Sequence, residues 1–130
     1  VEIDGTSAGA SALGLSVLGG PTTIRRLVIN RFGDRGIAAS NMTGLTVQGC
    51  RIGTNVAGDT DLGNAADGIL LTNVTTATIG GQNAADGNQI SGNGGTGISI
   101  GGTSTGVVVQ RNLIGTRISG NFILLIAMLR

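Results

Sequence analysis

Branched aliphatic residues recur behind short polar turns in this sequence, and their spacing defines ranks. Ile29, Ile52, Ile90 and Ile114 fall at intervals of 23, 38 and 24. A second rank, Ile37, Ile69 and Ile98, follows Gly36, Gly68 and Gly97, and a third is Ile24, Val47, Ile79 and Val109. Steps between ranks give a basic period of 23 residues, with the long middle period carrying insertions of 9 and 6 residues. Self-similarity of this kind marks a repeat architecture. Two segments, Val47–Thr54 and Val109–Thr116, both read V-Q-x-x-x-I-G-T and lie 62 residues apart.

Within each period the polarity alternates, as in Leu45-Thr46-Val47-Gln48 and Gly97-Ile98-Ser99-Ile100. Alternation over four residues predicts strands with one face turned inward. Gly and Asn punctuate between them, as corners with positive φ demand. No stretch has the periodicity of an amphipathic helix. The expected architecture is therefore all-β: a coil of about five turns, with three short strands per turn and two loop insertions in one turn. Successive turns would stack ~4.8 Å apart as parallel ladders. Ile3, Leu13, Leu15 and Val17 fit a looser leading turn.

Superimposing the periods exposes a fourth rank, Leu27, Cys50, Asn88 and Asn112. Asparagines stacked at a corner can bond amide to amide along the coil and satisfy turn backbone groups. Leu27 and Cys50 interrupt that ladder, with Cys50 read as a small buried filler. The adjoining rank is Arg26, Gly49, Gly87 and Arg111, where two glycines suggest positive φ.

The ranks resemble those of right-handed parallel β-helix repeat proteins, the pectate-lyase-like fold and especially the repetitive secreted or surface proteins of bacteria. The signatures that carry the resemblance are N-x-I-G-T at Asn112–Thr116, L-G-N-x-x-D-G-I at Leu62–Ile69, T-I-G-G at Thr78–Gly81 and N-x-I-S-G-N-G at Asn88–Gly94. Cys50 and the arginines at 26 and 111 depart from that pattern. The resemblance implies a β-helix over residues 1–116, leaving 117–130 as an irregular apolar tail or cap. It implies an extracellular or cell-surface location, and it carries function poorly, since one fold hosts both enzymes and inert stalks.

Composition narrows the chemistry. The chain has 25 Gly, 40% hydrophobic residues, two Phe and no Trp, Tyr or His, which suits an ordered core built without aromatics. Eight basic residues, all arginine, oppose seven acids. Nucleic-acid binding needs a clustered basic excess and often stacking rings, so no nucleic-acid partner is expected. A lone Cys50 excludes an intrachain disulfide and a cysteine zinc site. No segment reaches the ~18 apolar residues of a spanning helix. A secretion signal, if one exists, is expected to have been removed or to lie outside this sequence. The tail holds eight consecutive apolar residues, Phe122 to Leu129, which could cap the coil, dock on a partner or represent truncated or out-of-register sequence. Open ends of such a coil would favour self-association.

Acids gather on the inserted loops: Asp59, Asp61, Asp67 and Asp86. Hard oxygen ligands on glycine-rich loops suit calcium, so these four are the candidate ligands of a possible cofactor. The alternative is that they are solvated or bond turn amides. An enzyme of this fold would be a polysaccharide lyase or glycoside hydrolase, with Arg51, Asp67 and Asp86 as catalytic candidates. Few other proton-transfer groups accompany them. Arg25, Arg26, Arg31 and Arg35 could meet an anionic glycan or pair with Asp34 and its neighbours. Thr23, Thr46 and Thr78, continued by Val108, form an outward file that β-propensity alone explains. On balance the sequence reads as a non-catalytic structural or adhesive segment whose loops contact a polysaccharide or matrix ligand. The alternative is a carbohydrate-active β-helix enzyme or a truncated domain of one.

Overall fold

The computed structural model describes residues 1–115; the expected apolar tail lies outside the described residues. Eleven strands form two parallel sheets. The first contains β1 (Glu2–Asp4), β4 (Val28–Asn30), β6 (Arg51–Ile52), β8 (Gln89–Ile90) and β11 (Leu113–Ile114), in that spatial order. The second is built on two long strands, β5 (Ile37–Gln48) and β7 (Ile69–Gly80). Shorter strands flank them: β2 (Leu15–Val17) and β3 (Thr22–Arg25) pair β5, while β9 (Ile98–Gly101) and β10 (Thr105–Gln110) pair β7.

Pairing superimposes the aliphatic ranks. Ile3 sits on Ile29, Ile29 on Ile52, Ile52 on Ile90 and Ile90 on Ile114. The second rank runs from Leu15 through Ile37 and Ile69 to Ile98, and the third from Ile24 through Val47 and Ile79 to Val109. The leading turn is thus in register with the rest. Ile29, Ile52, Ile90, Ile37, Ile69, Ile98, Val47 and Ile79 are wholly inaccessible to solvent. Burial of each such side chain contributes about 1.5–3 kcal/mol.

The three expected strands per turn become two in the middle of the molecule. Strands β5 and β7 run through a corner without losing their pairing, because Met42 and Thr43 remain opposite Val74 and Thr75. The bend is made by stacked left-handed residues: Asn41, Asn73 and Gly102 at one step (φ 52, 55 and 64), then Gly44, Thr76 and Gly106 (φ 84, 56 and 66). Two residues per turn carry the change of direction, so the ladder need not break. In the rank Arg26, Gly49, Gly87 and Arg111, the first, second and fourth have φ of 55, 62 and 57. Gly87 has φ −64, since the inserted loop reaches this corner by another route.

The glycines that precede the second rank serve a different need. They lie against the isoleucine stack. A Cβ on Gly68 would fall 2.5 Å from Ile90 Cγ2 and 2.7 Å from the Gly97 carbonyl, and one on Gly36 would fall 2.6 Å from Ile52 Cγ2. Missing side-chain volume, rather than positive φ, explains the Gly-Ile pairs.

Asparagine stacks close all three corners. Asn88 Nδ2 donates to Asn112 Oδ1 at 2.9 Å, the expected ladder, and the Cys50 amide donates to Asn88 Oδ1 at 2.8 Å. Cys50 therefore ends the ladder while still being bonded by it. A second stack joins Asn64 Nδ2 to Asn93 Oδ1 at 2.9 Å, with the Phe32 amide donating to Asn64 Oδ1 at 3.1 Å. A third joins Asn73 Nδ2 to Asn41 Oδ1 at 2.9 Å. Sequence inspection found only the first, because the 9-residue insertion separates Asn64 and its neighbours from the period.

Three consequences are measurable. Gly68→Ala is expected to destabilise by about 1–3 kcal/mol through overpacking, and Ile90→Ala by about 2–5 kcal/mol. In urea unfolding the double variant should lose less than the sum, because the new methyl occupies room that Ile90 vacates. Asn88→Ala orphans the buried Cys50 amide and removes the side-chain donor that meets the Val47 carbonyl at 2.9 Å. The orphaned amide costs about 1–3 kcal/mol. Burial pushes the Cys50 thiol above its ordinary range. The native thiol should therefore resist alkylation until the chain unfolds. Its contribution to stability is complete below the unfolded value of about 8.5 and is lost as pH rises towards the folded one.

Candidate functional site

The 6-residue insertion follows β7 and turns away from the coil at Gly81. Its middle is a single 3-10 turn, Ala84–Asp86. Asp86 Oδ2 accepts from the Asn83 amide at 3.4 Å and from Asn83 Nδ2 at 3.2 Å, which folds the loop on itself. The Gly49 amide donates to the Asp86 carbonyl at 3.0 Å and fastens the loop to the preceding turn. A Cβ on Gly81 would sit 2.6 Å from Asp86 Oδ2, so the carboxylate closes over that glycine.

This loop makes one wall of an open groove of about 530 Å³. The floor is the outer face of β5, β7 and β10. Because side chains alternate along a strand, Thr78 and Val108 stand side by side there, with Gln48 and Gln110 two residues further along. Gly80 lies opposite Gln110 and leaves the floor bare between the two glutamines. Gln48 Nε2 crosses that gap to donate to the Gly80 carbonyl at 3.1 Å. Gln82 and Asn83 complete the wall. Asp86 is the ionisable residue of the lining, and its Oδ1 lies 3.5 Å from Arg25 Nη2 on the adjoining strand β3. The groove thus offers side-chain amides and one hydroxyl beside a carboxylate that is paired with Arg25.

The candidate acids are not brought together. Asp59 accepts from Asn55 Nδ2 at 2.9 Å and from Thr60 Oγ1 at 3.0 Å within the longer loop. Asp61 accepts from the Gly63 amide at 2.9 Å and bridges Thr54 in antiparallel fashion. That loop lies over the first sheet, where Gln89 Nε2 donates to the Gly58 carbonyl and Asn30 Nδ2 to the Thr54 carbonyl. Asp67 accepts from the Thr96 amide at 2.8 Å and faces Arg35 Nε at 3.7 Å. Asp86 stands at a different corner, beside Arg25. Among the described residues no three His, Cys, Asp or Glu side chains converge as a metal site would need. The four calcium candidates, Asp59, Asp61, Asp67 and Asp86, are thus distributed over separate turns of the loops. The shared inserted turn suggested proximity, but its two loops leave from different corners.

The catalytic candidates Arg51, Asp67 and Asp86 stand on separate segments. Arg51 is half-buried on β6, between Val28 and Gln89 of the neighbouring strands. Asp67 pairs with Arg35 at 3.7 Å and Asp86 with Arg25 at 3.5 Å. The arginine cluster also separates: Arg31 reaches Asp4 at 2.5 Å and Arg35 reaches Asp34 at 3.0 Å. The threonine file does form, with Thr23 beside Thr46 and Thr46 beside Thr78. Sequence reading missed the groove itself. Its signal was the pair Gln48 and Gln110 in the repeated V-Q segments, with the insertion beginning one turn away at Gly81.

Among the described residues no helix is long and apolar enough to cross a membrane. Neither a curated protein nor a solved structure gives a significant match to the chain. The family described as "Right handed beta helix region" matches residues 1–124. With its parallel sheets stacked turn on turn and the match spanning nearly all of the sequence, the chain belongs to the right-handed β-helix family.

Proposed function

We propose that this β-helix is a non-catalytic structural and adhesive segment of a secreted or cell-surface protein, and that its loops contact glycans. The observation that supports this reading most is the disposition of the acids. Asp59, Asp61, Asp67 and Asp86 each bond a loop amide, hydroxyl or arginine within their own corner. Lyase chemistry on a polyuronide needs a base facing the ring C–H proton next to a charge-neutralised carboxylate, and hydrolysis needs two opposed carboxylates. These four acids instead spend their oxygens on holding turns.

An elongated scaffold with a polar groove suits presentation better than turnover. Its ranks supply rigidity, and its loops supply the variable chemistry. Incubation with pectate, alginate and neutral polysaccharides, with and without added calcium, is expected to release neither unsaturated products nor reducing ends. Calcium-dependent release of unsaturated oligosaccharides would replace the scaffold reading with a lyase.

A further inference from the structure

We infer that the groove between the Gly81–Gly87 loop and the outer face of β5, β7 and β10 binds an uncharged, hydroxyl-rich glycan. This inference rests on the glycan-contacting reading above and names the ligand class. Gln82 and Gln110 each present an amide, which both donates and accepts hydrogen bonds, and Gln48 adds its side-chain oxygen beside the Nε2 that holds the Gly80 carbonyl. Sugar hydroxyls have the same dual character, so either partner can turn to suit the other. Thr78 adds a hydroxyl to the floor. Val108, 47% exposed beside it, offers a small apolar patch suited to the C–H face of a sugar ring.

Charge selects against acidic polymers. The lining carboxylate, Asp86, repels a uronate or sulfate, and its own partner Arg25 is already engaged at 3.5 Å. The pair therefore presents no unopposed cation to an anionic ligand. Arg25 is more exposed than Asp86, its side chain being 52% accessible against 13%. Removing the acid would free the arginine. Asp86 and Arg25 are accordingly specificity determinants, while the glutamines supply the contacts. The groove's volume of about 530 Å³ falls inside the ~300–1,000 Å³ usual for small-ligand sites.

The experiment is a titration of the 130-residue chain with cellohexaose, mannohexaose and hexagalacturonate, followed by calorimetry or NMR. At least one neutral hexamer is expected to bind, and more tightly than the charged one. Gln48→Ala and Gln110→Ala should each weaken that binding by roughly 2- to 10-fold, the range for one lost hydrogen bond. Circular dichroism serves as the folding control. Asp86→Asn keeps the loop's shape and should shift preference towards hexagalacturonate, while Arg25→Gln should not. Binding of hexagalacturonate as tight as that of the neutral hexamers would overturn the inference and leave glycan contact standing. So would full affinity in folded glutamine variants. Failure of all three hexamers to bind would remove the glycan-contact reading as well.

Discussion

Parallel backbone pairing places each winding directly over the last, and every other feature answers to that spacing. A strand fixed ~4.8 Å above its predecessor puts like positions over like positions. Isoleucine therefore meets isoleucine, and asparagine meets asparagine. The apolar ranks gain from this because identical branched side chains interlock without voids. The corners face the harder problem, since their buried amides and carbonyls have no ladder to join. Asparagine solves it by bonding its counterpart in the next winding and the backbone around it, as Asn88 does with Asn112, Cys50 and Val47. Interior packing and corner satisfaction thus depend on the same vertical register.

How much of this was legible follows from where the period is intact. The isoleucine, valine and Asn88–Asn112 ranks were readable because each recurs at the basic interval once the insertions are discounted. The longer loop sets Asn64 twelve residues after Ile52, whereas Asn93 follows Ile90 by three, so the Asn64–Asn93 stack sits out of phase in the linear sequence. The Asn41–Asn73 stack lies inside continuous strands, where strand patterning hid a corner. The role of Gly36 and Gly68 was not legible for a related reason. A missing side chain can mean freedom of φ or simply room, and only the neighbouring Ile52 and Ile90 methyl groups distinguish them.

The candidate site was less legible, because sequence proximity within one winding is a poor guide to position around a coil. Asp67 and Asp86 flank the same turn, yet they face Arg35 and Arg25 respectively. Gln48 and Gln110 are far apart in sequence and line one groove. Around a solenoid, neighbours are found one period away, and chemistry assembled across windings is invisible to a search along the chain.

Both insertions leave the coil and return to it without disturbing the strands above and below. Ile52 still meets Ile90 although 38 residues separate them, as directly as Ile29 meets Ile52 across 23. Pitch and cargo are consequently decoupled. A corner can lengthen, shorten or change its residues while the pillar behind it keeps its rise, so new surfaces can be tried at the rim without rebuilding the support.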